Sequence, residues 1–79
     1  MLTIALSLAL ASVDCNASAT GFAIGKHYTT SLGERVRKAA NARTVRELLP
    51  GRIYTMEFMF GRINVELDRH GRVRRVSCG

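Results

Sequence analysis

Two cysteines, Cys15 and Cys78, constrain the fold of this chain most, because a bond between them would tie its two ends together. The chain has 79 residues, enough for one hydrophobic core and too few for two. An even cysteine count in a small exported chain predicts a disulfide, and closing a loop of this length would stabilise the fold by roughly 4 kcal/mol. The alternative is a reactive thiol, which needs a base and an electropositive pocket beside it. We therefore predict one disulfide-closed domain.

The amino-terminal segment predicts export. Residues 2–11 are Leu, Thr, Ile, Ala and Ser without a charge, and Ala9, Ala11 and Ser12 supply the small residues of a cleavage site. The run is too short to cross a bilayer, which takes about 20 apolar residues. We predict a secretory signal over residues 1–11, a mature domain over residues 12–79, no stable membrane insertion, and a periplasmic or secreted location. The alternative is a buried amino-terminal helix.

All twelve Lys and Arg and all six Asp and Glu lie beyond Ser12, so the mature domain keeps the whole net charge of +6. Such a domain is attracted to nucleic acid, acidic polysaccharide or anionic membrane. The charges are not interleaved with aromatic residues as in single-strand binders, so we expect no nucleic-acid partner. One alternative function remains, a cationic envelope module that binds anionic lipid or polysaccharide through arginines in or beside the last predicted hairpin: Arg69, Arg72, Arg74 and Arg75.

The sequence lacks the residues of an enzyme active site. Its two histidines, His27 and His70, are isolated, and neither Ser nor Cys stands in a recognisable nucleophile motif. No His and carboxylate cluster has the spacing of a metal site, and no second ligand lies within a few residues of Cys15. We predict a protein that is not an enzyme and that holds no metal or cofactor.

Helical patterns fill the first half of the mature chain. Small and apolar residues over residues 16–24 predict a short helix that ends near Gly25. The main helix is predicted over residues 32–41, with Ser31 and Glu34 as a capping box. Its apolar residues recur at helical spacing, and they are Leu32, Val36, Ala39 and Ala40.

Three strands are predicted in the second half. Residues 44–49 begin with β-branched side chains and stop at Pro50. Residues 62–68 alternate apolar and polar side chains, which predicts one buried and one solvent-exposed face. A turn over residues 69–71 leads into the last strand, residues 73–78, so the last two strands should form an antiparallel hairpin.

The twelve residues from Pro50 to Gly61 stay ambiguous by pattern alone. They show neither a helical cap nor a helical period, yet they crowd large apolar side chains together. These side chains fit a further buried strand as well as an exposed loop, and they are Tyr54, Met56, Phe58, Met59 and Phe60.

From Cys15 to Gly79 the sequence strongly resembles a family of small exported peptidase inhibitors that includes a fungal elastase inhibitor. The most specific parts are Thr55-Met56-Glu57-Phe58, the strand Arg62-Ile63-Asn64-Val65-Glu66-Leu67-Asp68 and the final Cys78-Gly79. The Pro-Gly, Thr-Met-Glu-aromatic and Arg-Ile pattern is also similar to the potato inhibitor I group, which includes eglin.

The resemblance implies an α+β fold: a small single-domain wedge, with one main helix packed on a mixed three-stranded sheet and a long exposed reactive loop between parallel strands. It also implies that Met56–Glu57 is the reactive bond. Arg62 and Asn64 would support the loop, Arg62 by donating to Thr55, Glu57 and loop carbonyls, and Asn64 by donating through its amide. The implied protease-binding residues are Tyr54, Thr55, Met56, Glu57, Phe58 and Met59.

Met56 indicates the target class. A long thioether suits an open apolar pocket, whereas the pocket of trypsin requires Lys or Arg. We expect a monomeric inhibitor whose partner is a subtilisin-, chymotrypsin- or elastase-like serine protease, and which uses the substrate-like mechanism.

Overall fold

A computed structural model describes residues 15–79. The secretory signal predicted for residues 1–11 lies outside the described residues. The elements follow in chain order: a 3₁₀ helix (Ala17–Ala23), α1 (Thr30–Ala40), β1 (Thr44–Leu48), β2 (Arg62–Leu67) and β3 (Val73–Cys78). Within this range no helix is long and apolar enough to cross a membrane.

Helix α1 begins earlier in the chain than the sequence predicts. The Thr29 hydroxyl, rather than that of Ser31, accepts the N–H of Leu32, at 3.0 Å. The predicted capping box is therefore wrong, and the Glu34 carboxylate instead accepts from the Arg37 guanidinium at 3.0 Å. Thr29 has the extended backbone that a cap residue needs, with φ −137° and ψ 163°.

The predicted short helix before α1 is present as a 3₁₀ helix. Asn16 caps its start by accepting the N–H of Ser18 at 3.1 Å. At Thr20 the backbone leaves helical values, with φ −111° and ψ 15°, so the segment is kinked. The segment packs beside α1 and carries the chain from Cys15 to the helix.

The strands form one mixed sheet in the order β1-β2-β3. β1 and β2 are parallel, with Thr44 opposite Arg62, and β2 and β3 are antiparallel, with Val65 opposite Val76. The long segment between β1 and β2 satisfies the requirement that parallel strands be joined by a crossover of a dozen or more residues. The predicted α+β fold and the predicted antiparallel hairpin are confirmed.

The core lies between α1 and one face of the sheet. Val36 and Ala40 on the helix and Ile63, Val65 and Val73 on the sheet are all buried. The predicted disulfide joins Cys15 to Cys78, with a Cα–Cα distance of 5.9 Å. It links the segment before the 3₁₀ helix to the end of β3.

The face of β2 that was predicted to be solvent-exposed is partly exposed at Glu66 and Asp68 but buried at its start. Arg62 is 7% exposed and Asn64 is 6% exposed, although both alternate with core residues. β2 is the central strand, and its second face lies beneath the crossover between β1 and β2. The sheet is therefore covered on both faces at this end, by α1 on one side and by the crossover on the other.

Candidate functional site

Residues 49–61, here called the crossover loop, join β1 to β2 without a helix or strand. The loop carries large apolar side chains in solvent: Ile53 is 98% exposed, Met56 is 93% exposed and Phe60 is 77% exposed. Small soluble domains rarely leave several such side chains together in water unless a partner covers them. These three side chains are thus not part of the core.

Arg62 anchors the second half of the loop. Its Nη2 donates to the main-chain oxygen of Glu57 at 3.1 Å, and its Nη1 lies 3.0 Å from the Met59 sulfur. The sequence predicts a further bond to Thr55, but within residues 15–79 the hydrogen bonds of the guanidinium go to Glu57, Met59 and Gly79. The anchor therefore holds backbone rather than the side chains of Thr55 and Glu57.

Gly79 completes this anchor, and sequence reasoning misses it. Its main-chain oxygen accepts from Arg62 Nη2 at 2.7 Å and Nε at 3.0 Å, and also from the Met59 N–H at 3.3 Å. The Gly79 N–H donates in return to the Arg62 carbonyl at 2.9 Å. Since Gly79 follows Cys78, the disulfide fixes the backbone that fixes Arg62. The only sequence feature that pointed to Gly79 was its place in the final Cys78-Gly79 pair of the family resemblance.

Tyr54 anchors the first half of the loop. Its hydroxyl accepts the Leu49 N–H at 2.7 Å, and the guanidinium of Arg46 lies over its ring at 5.6 Å from the centroid. Arg46 Nε also donates to Asn64 Oδ1 at 3.0 Å. Asn64 thus accepts from a neighbouring strand instead of donating to the loop as the sequence predicts.

The middle of the loop lies over a recess of about 340 Å³. Thr55, Met56, Glu57 and Phe58 form one side of it, and the opposite side is formed by Arg46, Asn64, Ser77, Cys78 and Gly79. Phe58 packs edge-to-face on Phe60, with ring centroids 5.7 Å apart. The loop is therefore supported on both sides of Met56, by Tyr54 before it and by Arg62 after it.

Several arginines of the β2–β3 hairpin have partners that neutralise or hold their charge. Glu66 pairs with Arg75 at 3.0 Å and with Arg74 at 3.8 Å. Arg72 Nη1 donates to the carbonyl of Gly25 at 3.3 Å. The patch predicted from these residues is partly neutralised by its own carboxylate.

Asp68 organises the turn between β2 and β3. Its Oδ1 accepts the N–H of Arg72 at 3.0 Å and that of His70 at 2.8 Å. These two backbone donors, Arg72 foremost, hold the pKa of the Asp68 carboxyl below its usual value, since they favour the ionised form. The turn is therefore best held when Asp68 is charged.

Residues 15–79 contain no cluster of three or more His, Cys, Asp or Glu that could hold a metal ion. Both cysteines in that range are committed to the disulfide. The chemistry of the site is therefore that of an exposed peptide segment with a supported backbone.

Proteins similar to this chain include peptidase inhibitors. The crystal structure of the elastase inhibitor AFUEI matches with a TM-score of 0.60 and 26% sequence identity, over 78% of this chain and 85% of that one. No curated protein gives a significant sequence match. The model of the peptidase inhibitor I78 family matches residues 15–79, which is nearly the whole of the chain. The family and this neighbour are inhibitors and not enzymes, and the protein belongs to the peptidase inhibitor I78 family.

Proposed function

We propose that the protein inhibits serine proteases by binding as a substrate does, with Met56–Glu57 as the reactive bond. One observation carries the proposal: Met56 is 93% exposed, while the carbonyl of the next residue, Glu57, is held by the buried Arg62. Family membership supports inhibition of a peptidase. The mechanism, the bond and the likeness of the loop to that of the potato inhibitor I group are our proposal.

The support of the loop gives the physical reason for inhibition rather than digestion. A flexible substrate loses conformational freedom when it enters a protease cleft, and a loop that is already held avoids much of that cost. Arg62 and Gly79 hold the loop just beyond the proposed reactive bond. If that bond is cut, the new amino terminus at Glu57 stays near the acyl group, so the bond re-forms faster than the products separate.

The side chain at the reactive bond selects the target. Met56 is unbranched and apolar, which suits the open apolar pockets of subtilisin-, chymotrypsin- and elastase-like enzymes. Arg62, which could serve trypsin, is buried beneath the loop. The likeness to an elastase inhibitor supports this class of target. We propose Tyr54, Thr55, Glu57, Phe58 and Met59 as the remaining residues of the protease contact.

We further propose that the inhibitor is exported and acts as a monomer in the periplasm or outside the cell. The disulfide supports export, because disulfides persist in oxidising compartments. The signal over residues 1–11 remains a prediction, as does the mature domain over residues 12–79. The envelope-binding alternative would rest on charge, so its binding would weaken steeply with salt, whereas contacts of the crossover loop are largely apolar.

The decisive experiment measures inhibition constants for subtilisin, chymotrypsin, elastase and trypsin. Three proteins are compared: the oxidised wild type, Met56→Lys and Ile53→Lys. We expect the wild type to inhibit the first three enzymes and not trypsin. Met56→Lys should shift inhibition to trypsin, because the lysine then enters the acidic specificity pocket. Ile53→Lys introduces the same charge three residues before Met56, at a side chain that is 98% exposed and outside the proposed contact, and should leave the preference unchanged.

Mass spectrometry of the long-incubated complexes locates the bond. Cleavage between Met56 and Glu57 is the expected product. Cleavage elsewhere in the loop, or a trypsin preference that follows Ile53→Lys, would refute the assignment of Met56. Absence of inhibition of all four enzymes would refute the proposed target class.

A further inference from the structure

We propose that Arg46 is a positioning residue of the inhibitory loop, and that it sets how slowly the reactive bond is hydrolysed. The inference rests on the proposed function and deepens it. Arg62 and Gly79 support the loop beyond the reactive bond, and Arg46 supports it before that bond through Tyr54.

The position of Arg46 follows from the register of the sheet. Arg46 on β1 is the direct partner of Asn64 on β2, and partners in a parallel pair project from the same face. Both therefore lie on the face beneath the loop, where they line the recess with Thr55 and Glu57. The bond from Arg46 Nε to Asn64 Oδ1 fixes the plane of the guanidinium.

The guanidinium then holds Tyr54. A cation within about 6 Å of a ring centroid attracts the ring face, and here the distance is 5.6 Å. With its ring held, the Tyr54 hydroxyl accepts the N–H of Leu49, the first residue after β1. This chain of contacts connects Asn64, Arg46, Tyr54 and Leu49 across two strands. It ties the start of the loop to the rigid sheet.

The two supports leave a short unsupported span. Tyr54 is held on one side and Glu57 on the other, so only Thr55 and Met56 lie between them. An acyl intermediate formed at Met56 would have its two sides held by separate groups. Loss of Arg46 frees the acyl side, which lets water compete with the returning amine and turns an inhibitor into a slow substrate.

The test compares Arg46→Met with Arg35→Met. Each removes one positive charge, keeps an unbranched apolar stem and takes an arginine away from an aromatic ring, Tyr54 or Phe22. Arg35 is an exposed residue of α1, on the opposite face of the sheet from the loop. Three quantities are measured: the inhibition constant against subtilisin, the rate of cleavage at Met56–Glu57, and the exchange rate of the Leu49 amide by NMR. Tyr54→Phe, which keeps the ring and loses only the hydroxyl, is a third variant.

We expect Arg46→Met to raise the cleavage rate by roughly tenfold or more, as for the loss of one charge-assisted hydrogen bond. Exchange of the Leu49 amide should rise about fivefold or more, the factor that corresponds to roughly 1 kcal/mol. Arg46→Met should also lower Tm by about 4–8 °C, because the buried Asn64 loses its charged donor. Arg35→Met should match the wild type in inhibition, in cleavage rate and in Leu49 exchange. Tyr54→Phe should raise the Leu49 exchange rate as well.

Two results would overturn the inference. One is unchanged Leu49 exchange in Arg46→Met, which is measured on the free protein and does not depend on any protease. The other is inhibition by the wild type with equal cleavage of Arg46→Met and Arg35→Met. Failure of the wild type to inhibit refutes the proposed function instead, and the exchange measurement then still decides whether Arg46 holds the loop.

Discussion

Removal of the disulfide by the double change Cys15→Ser and Cys78→Ser should destabilise both the fold and the loop. The bond has a sequence separation of 63, and the chain-entropy relation gives about 4 kcal/mol for a loop of this size at 25 °C. A domain of this length has an unfolding free energy of roughly 3–10 kcal/mol. The disulfide therefore contributes a large share of the total.

The expected fall in Tm follows from that figure. One kcal/mol moves the Tm of a domain this small by about 4–8 °C, so we expect a fall of about 15–30 °C. Far-UV circular dichroism melts of the wild type and the double variant measure it. Reducing agent should lower the Tm of the wild type to that of the variant, and it should leave the variant unchanged.

We expect a second effect that a disulfide acting only on the stability of the whole fold would not have. Cys78 precedes Gly79, whose oxygen accepts two bonds from Arg62. At a temperature where the double variant is still folded, inhibition should therefore be weaker than in the wild type. A Tm fall of less than about 5 °C would refute the entropy reasoning, since the loss of a loop closure of this size must cost more than that. Full inhibition by the folded variant would refute the link from the disulfide to the loop.

Three further changes test separate parts of the molecule. Gly61→Ala should lower Tm by about 5–10 °C, because φ is +76° there and the added Cβ would meet the Arg43 side chain at 3.2 Å. Gly21→Ala is the control: a Cβ at Gly21 has no atom within 4 Å, so the Tm should not fall. Asp68→Ala should lower Tm at pH 7. The difference in Tm between the wild type and the variant should vanish as pH falls through the lowered pKa of Asp68, because the wild type then also loses the stabilising ionised form. An equal difference in Tm at pH 7 and pH 2 would contradict this. Mild peroxide should abolish inhibition by converting the exposed Met56 to its sulfoxide. Met59 is also 45% exposed, so the comparison is made in Met59→Leu, which should lose inhibition on treatment, and in the double variant Met56→Leu and Met59→Leu, which should inhibit equally before and after it.

The strands were the most predictable part of the fold. β3 has the predicted bounds, Val73–Cys78. A turn that contains Gly71 marks its start, and the disulfide-bonded Cys78 marks its end. The helix cap was less predictable, since Thr29 and Ser31 both carry a hydroxyl. Which of the two caps the helix depends on the backbone angles of the residue. Beside Thr29 the backbone is held by a distant contact, in which the Tyr28 N–H donates to the Gly71 carbonyl at 2.9 Å. A contact between such distant residues leaves no local pattern.

The supports of the loop were only partly predictable for a related reason. Alternation along β2 correctly places Ile63 and Val65 in the core, but it assigns Asn64 to solvent and gives no reason for Arg62 to be buried. Those two side chains are buried because their partners come from Gly79, 17 positions away from Arg62, and from Arg46 on a parallel strand. Family resemblance identified Arg62, whereas Arg46 became visible only with the register of β1 and β2.

Anchoring through main-chain oxygens separates the support of the loop from its specificity. Arg62 donates to the oxygens of Glu57 and Gly79, and every residue type supplies such an oxygen. Met56 is almost fully exposed, so its side chain adds little to the stability of the free protein. Substitutions at Met56 should therefore change which protease is bound while leaving Tm nearly constant, since surface changes without partners are usually within about 0.5 kcal/mol. A loop built on side-chain packing would not allow this independence, because each new specificity residue would also alter the fold.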